Sequence, residues 1–275
     1  MKRALAAISL MTLASCALLA GAFKPPEVSF DLARFRAADF SKLGVDLIFD
    51  ITNPNALGAA VDSYDLKFVV DGLTLLDGTV QEGLDLSGNT TSKMVLPATV
   101  KWAELASRIT KGGVPDDLPW SASGELRFDT PIGPLGIPFG VSGKLPVVKP
   151  PAIKPLALRV TRASLTQVSL AFDFEVENKT GHRVSLSSLS HRLRLQGREV
   201  AKGTLSKAVK VGARGTAKQT LGVDLSLASV GSAIASALVG GGSLDVRLSG
   251  KTSVDTGYGK VPWNFDARKS LGVRR

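Results

Sequence analysis

At 275 residues and 44% hydrophobic content, the chain has ample material for packed cores, which excludes a disordered polymer. Twenty-eight Gly and 14 Pro, with few helix-length amphipathic faces, exclude a helical bundle and favour short strands joined by turns. The net charge is +10, but aromatic residues at 6% are too sparse for a base- or sugar-stacking platform, so no nucleic-acid partner is expected.

The chain opens MKRALAAISLMTLASCALLAGAFKPP, with Lys2 and Arg3 ahead of an Ala/Leu-rich run. That order is the pattern of an export signal, and residues 1–24 are expected to be signal and short tether. Cys16, the only cysteine, closes Leu13-Ala14-Ser15-Cys16, which resembles the bacterial lipobox, where the thiol is lipidated and the preceding peptide removed. Two other readings stay open. Ala20-Gly21-Ala22 offers an ordinary cleavage site that would give a periplasmic or secreted protein, and residues 4–23 have about the length of a membrane span. All three put the body of the chain outside the cytoplasm. The lipobox resemblance implies a lipid-anchored protein of the bacterial envelope. Ala17, where many inner-membrane lipoproteins carry Asp, implies the outer membrane. With a single cysteine there is no intramolecular disulfide, so packing must supply the stability.

Leu43, Val45, Leu47, Phe49 and Ile51 alternate as one face of a half-buried strand, which stops at Asn53-Pro54-Asn55. Pro54 has no N–H for a sheet ladder and holds Asn53 extended, while Asn55 tolerates the left-handed conformation. The triplet therefore reads as a stop and a turn. Gly72 and Gly78 punctuate the strands that follow, TVKWAELASRITKGG reads as a helix ending in Gly, and SGELRFDTPIG returns to strand. In KLPVVKPPAIKP, Pro146, Pro150, Pro151 and Pro155 predict a stiff, exposed connector.

Everything then recurs at a spacing of 125 residues. Pro25-Pro26 falls on Pro150-Pro151, Val28 on Ile153, Gly72 on Gly197 and Gly78 on Gly203. The alternation recurs as Val168, Leu170, Phe172, Phe174 and Val176 and stops at Asn178, where Gly181 is expected to turn the chain. With a one-residue drift, SGKTSVDTGYG meets SGELRFDTPIG and Val261-Pro262-Trp263 meets Ile137-Pro138-Phe139. In LSLASVGSAIASALVGGG, Leu227, Val230, Ile234 and Leu238 have helical spacing before a glycine stop. Two tandem domains are predicted, 25–149 and 150–275, each of about six or seven strands with one short helix. Each is long enough to bury its own core.

Two domains that open on Pro, run a long alternating strand to Asn-Pro-Asn or its Asn relic, and continue in Gly-punctuated strands and a short helix resemble the late embryogenesis abundant type 2 family. Its module is also called the water-stress and hypersensitive-response (WHy) domain. The resemblance covers nearly everything after residue 25, twice, although the second copy lacks the Pro (Asn178-Lys179-Thr180). It implies a mainly β fold of two fibronectin-III-like or immunoglobulin-like β-sandwiches, and an association with desiccation or other stress. It also marks Asn53, Pro54, Asn55 and Asn178 as the family's strand-stop positions.

Catalytic signatures are missing from the sequence. His182 and His191 stand without an HExxH or a Cys pair, and SGKTS at 249–253 has Asp245 where a phosphate-binding loop needs Gly. No G-x-S-x-G elbow occurs, and the acceptor-like Asn89-Thr90-Thr91 and Asn178-Lys179-Thr180 carry no weight in the bacterium that the lipobox resemblance implies. No enzyme activity, cofactor or metal is expected.

Charge is the feature that stands out. Residues 27–149 hold 11 Lys and Arg against 16 Asp and Glu, whereas 150–275 hold 20 against 8. Arg192 and Arg194 share the face opposite Leu193 and Leu195, and Lys202, Lys207, Lys210, Arg214 and Lys218 follow. This is either a solvated sheet face or a patch, Arg192, Arg194, Lys207 and Lys210, for phospholipid head groups, lipopolysaccharide or an acidic protein; attraction between the copies is the third reading. The expected role is non-enzymatic protection of client proteins or membrane from an envelope tether, under desiccation or osmotic stress. The alternative is a binding or assembly module whose basic second domain holds an anionic envelope component.

Overall fold

The computed structural model describes residues 23–109 and 115–274. Cys16 and Ala22, with the rest of the export segment, lie outside them. The described chain is mainly β and divides into two compact units. One contains residues 23–35, Gly44–Val100 and Leu118–Leu145; the other contains Arg36–Leu43 and residues 101–109, 115–117 and 146–274.

The first unit is a sandwich of three strands on four. Strands β1 (Glu27–Arg36), β2 (Lys42–Asn53) and β5 (Thr90–Lys101) form one sheet in the order β1-β2-β5. Strands β3 (Ala59–Val70), β4 (Leu73–Leu86), β6 (Asp117–Thr130) and β7 (Gly133–Pro146) form the other in the order β4-β3-β6-β7. Alternation decides which residues go inside: Leu43, Val45, Leu47, Phe49 and Ile51 of β2 are buried, as are Tyr64, Leu66, Phe68 and Val70 of β3. Edge-to-face contacts tie the two layers, Phe49 of β2 to Phe139 of β7 at 5.1 Å between centroids and Phe30 of β1 to Trp120 of β6 at 6.4 Å. Between β3 and β4 the chain reverses through Asp71 (φ 47°) and Gly72 (φ 74°), a pair of left-handed residues that matches the twist of the strands they join.

The second unit repeats this plan with additions. Its strands are β8 (Ala152–Ala163), β9 (Gln167–Glu177), β10 (Val184–Leu186), β11 (Leu189–Leu195), β12 (Arg198–Leu205), β13 (Val209–Val211), β14 (Thr216–Ser226), β15 (Ser243–Asp255) and β16 (Lys260–Arg274). The run β8-β9-β14 corresponds to β1-β2-β5, and β12-β11-β15-β16 corresponds to β4-β3-β6-β7. Even the reversal recurs, with Gln196 at φ 47° and Gly197 at φ 79°. A short parallel pairing of β16 with β8, Val273 opposite Leu158, joins the two runs into one ladder. The three-residue strands β10 and β13 pair with each other beyond the end of β11.

Three differences from the sequence reading have physical causes. The single helix expected in the second copy is two, α2 (Leu227–Val230) and α3 (Ser232–Gly240); α1 (Trp102–Ile109) is the first copy's helix. Gly231, at φ 86° and ψ 155°, breaks the helical path between them. The proline-rich joint is not an exposed connector: Leu145, Val147 and Val148 are buried, and the Val147 N–H donates to the Asp116 carbonyl at 2.8 Å. Finally, the segments 36–43, 101–109 and 115–117 belong to the second unit, where Phe40 packs on the core built around Phe172 and Phe174.

Candidate functional site

The strand-stop asparagines are buried brackets. The Asn53 side-chain amide donates to the carbonyl of Leu57 at 2.8 Å and to those of Ser87 and Leu86 at 3.3 and 3.4 Å. Its Oδ1 accepts from the backbone N–H and side-chain amide of Asn55 at 3.1 and 3.0 Å. Asn178 does the same, donating to His182 and Gly212 at 2.7 and 2.8 Å and accepting from the N–H and hydroxyl of Thr180 at 3.1 and 2.9 Å. Strand β2 ends at Asn53, and β9 ends at Glu177, one residue before Asn178. Pro54 has Lys179 in its place in the second copy, so the bracket does not depend on proline. The turn is not made as the sequence suggested, since neither Asn55 nor Gly181 adopts a positive φ. Asn55 instead folds back onto Asn53 and onto Lys24, whose carbonyl accepts from its amide at 2.7 Å. At Gly181 a Cβ would lie 2.2 Å from the Asp116 carboxyl carbon, so any side chain there would have to displace the Asp116 side chain.

The basic residues lie on a different surface, the run β12-β11-β15-β16. Cross-strand partners share a face, so the register defines two outward rows: Lys202, Arg192, Ser249 and Asp266, then Thr204, Ser190, Lys251 and Asn264. Between them runs the inward row Gly203, His191, Gly250 and Phe265. These three rows line a hollow of about 620 Å³. Every lining residue belongs to these four strands and none to β8, β9 or β14, which puts the hollow on the outward face, floored by the backbone of the middle row. His191 occupies the position of the buried Leu66, and burial holds its imidazole below the ordinary histidine pKa, so it is neutral at pH 7.

Charge compensation across the hollow is uneven. Asp266 is bridged by Arg247, with Arg268 at 3.6 Å, and the Arg247 hydrogen bond holds its carboxyl below the usual carboxylate range. Arg192 is ion-paired with Glu199 through Nε at 2.7 Å, and its terminal nitrogens make no hydrogen bond among the described residues. Lys202 and Lys251 line the hollow without an ion pair among the described residues.

Of the four patch residues predicted from sequence, Arg192 and Arg194 sit together on β11. Arg194 lies opposite Arg247. Lys207 is in the turn after β12, and Lys210 on β13 pairs with Ser185, itself opposite Asp255. Asp255 lies four residues along β15 from Lys251, or about 14 Å at ~3.4 Å per residue, and neither Lys207 nor Lys210 lines the hollow. Lys251, Arg247 and Arg268 are the cations that sequence reasoning missed. The signal was the alternation of Arg247, Ser249 and Lys251, which puts all three on one face.

The matching rows of the first unit are acidic on balance, with the sign reversed at two positions and kept at one, where Lys67 stands for Arg192. There the rows read Asp77, Lys67 and Ser123, then Thr79, Asp65 and Glu125. Asp77 thus stands where the second unit has Lys202, Asp65 where it has Ser190, and Glu125 where it has Lys251.

The model of the late embryogenesis abundant protein family, type 2, matches residues 49–143 and again 173–269. No curated protein matches the chain. Similar solved structures include a protein from Archaeoglobus fulgidus, 14% identical over 45% of this chain and 97% of that one, with a TM-score of 0.29. Another, from Arabidopsis thaliana, is 18% identical over 45% of this chain and 83% of that one, with a TM-score of 0.38. Red sea bream transglutaminase is 11% identical over 92% of this chain and 32% of its own, with a TM-score of 0.27. Matched over well more than half its length, in two consecutive copies that fold alike, the chain belongs to the late embryogenesis abundant type 2 family.

Proposed function

We propose that this is a non-enzymatic protective protein of the cell envelope, anchored through a lipid on Cys16 and acting under desiccation or osmotic stress. The tandem family match is the observation that carries this reading, because it supports a stress-related role for both copies. Protection would come from surface chemistry without turnover. Closed cores keep apolar residues away from drying neighbours, while charged outward rows hold water and keep client proteins or membrane apart. The test is a deletion strain complemented with the wild-type chain or with Cys16→Ser and taken through drying. Wild type should restore survival and incorporate labelled palmitate; Cys16→Ser should take no label and restore less. A deletion strain that survives drying as well as its parent would sink the reading.

The second reading, a module that holds an anionic envelope component, is favoured by one observation. On balance the outward rows are acidic in the first unit, where Lys67 is the one cation among three carboxylates, and basic in the second, where Asp266 is the one carboxylate among three cations.

A further inference from the structure

We propose that the hollow on β12-β11-β15-β16 is a binding site for a phosphate monoester carried on a hydroxylated body, such as a sugar phosphate, free or as the headgroup of an envelope lipid. This rests on the second reading above and assigns its site and ligand chemistry.

Three cations stand on neighbouring strands of the hollow, Lys202 on β12, Arg192 on β11 and Lys251 on β15, with Lys202 and Lys251 about 12 Å apart. Lys202 is the direct cross-strand neighbour of Arg192, about 5 Å away in a sheet, and Lys251 lies one strand over and two residues along, about 8 Å from Arg192. Long flexible side chains at those spacings can close on one group. Three cations suit a group with nearly two negative charges and three acceptor oxygens better than they suit a carboxylate. The only carboxylate in the hollow, Asp266, is engaged by Arg247 and Arg268 and so offers little repulsion.

The polar residues between and beside these cations have different chemistry. The hydroxyls of Thr204 and Ser249 and the Asn264 amide make no hydrogen bond among the described residues, whereas the Ser190 hydroxyl is committed to the Lys251 carbonyl at 3.1 Å. Ser249, Asn264 and Asp266 lie toward β16, away from Lys202, and present a donor-acceptor mixture that suits sugar hydroxyls. About 620 Å³ is larger than a bare phosphate needs and falls in the range of small-molecule sites. The first unit, with Asp77, Asp65 and Glu125 at the matching positions, each paired with Lys67 or Arg127, lacks the cluster of cations that the ligand needs.

Calorimetric titration of the full chain with glucose 1-phosphate and with glucose tests the free ligand. Flotation with phosphatidylcholine vesicles bearing phosphatidylinositol 4-phosphate, or phosphatidylglycerol at matched charge, tests the headgroup. At about 0.15 M salt, where exposed charges act over only ~8 Å, glucose 1-phosphate should bind and glucose should not. Lys202→Gln with Lys251→Gln should weaken binding at least tenfold, roughly what losing one or two charge-assisted bonds costs. Lys207→Gln with Lys210→Gln should change it less than about twofold at that salt. Binding only to the phosphoinositide vesicles, lost in the same Lys202/Lys251 variant, would support the site with a lipid headgroup as its source. Equal binding to both vesicle types, reduced as much by the Lys207/Lys210 variant, would overturn the hollow while leaving an anionic partner standing. No binding to any of these anions would overturn both.

Discussion

Asn53 and Asn178 each turn one buried amide into a clamp on two loops at once. The nearer loop is held through the residues two and four positions on, the farther through Ser87 or Gly212, thirty-four residues downstream. Replacing either Asn with Ala leaves several buried backbone groups without partners and should cost about 2–4 kcal/mol, with the two losses alike. Asn55→Ala should cost less, about 1 kcal/mol, because its bonds to Lys24 are exposed. Urea melts of the three variants check this order, and a loss under about 0.5 kcal/mol at Asn53 would show that water replaces the clamp. Sequence spacing was enough to locate both stops. It could not show the clamp, because the decisive carbonyls come from a loop that only the folded sandwich brings alongside.

Alternation along a strand shows which residues face inward, but not where two backbones come too close for any side chain. Gly124 on β6 and Gly250 on β15 are such places: a Cβ would lie 1.9 Å from the carbonyl oxygen of Asp65 in one and of Ser190 in the other. Gly78 and Gly222, also within strands, have open space instead. Gly124→Ala and Gly250→Ala should each lower stability by several kcal/mol, since backbone must move, whereas Gly78→Ala and Gly222→Ala should be neutral or stabilising by up to about 1 kcal/mol. Denaturant melts that rank all four alike would contradict the close approach. The strands with long alternating runs were legible in advance for the same reason that these glycines were not. Periodicity reports the direction of a side chain, not the distance to its neighbour. The pair β10 and β13, at three residues each, is too short to show any period.

An internal repeat marks where copies begin and end along the chain, whereas a folded unit is assembled from whatever packs together. Residues 36–43, 101–109 and 115–117 fall in the first copy by sequence and cluster in the second unit. Phe40 packs on that unit's core, the Ala37 N–H donates to the Tyr258 carbonyl at 2.9 Å, and Asp116 pairs with Arg214 at 2.8 Å. Residues 150–275 expressed alone should therefore show β-type circular dichroism and a cooperative melt. That melt should come several degrees below the same unit's transition in the full chain, because about 1 kcal/mol moves a domain of this size by roughly 4–8 °C. An identical midpoint would mean that these segments add nothing. The candidate site was legible in part for a related reason. Arg192 and Lys202 are close in sequence, but Lys251 joins them only because β15 pairs with β11 after the intervening strands and helices have been laid down elsewhere.

The sign reversal on the outward rows bears on how a duplicated gene diverges. Inward residues are held by the core, so the two copies keep the same alternation there; outward positions such as Asp77 and Lys202 are free of that constraint and have gone to opposite charge on a common scaffold. At such positions each copy is a charge-swapped sibling of the other within one polypeptide, although Lys67 and Arg192 keep one sign. Any property that both siblings show can rest on the scaffold they share, and any property that only one shows must rest on the residues in which they differ.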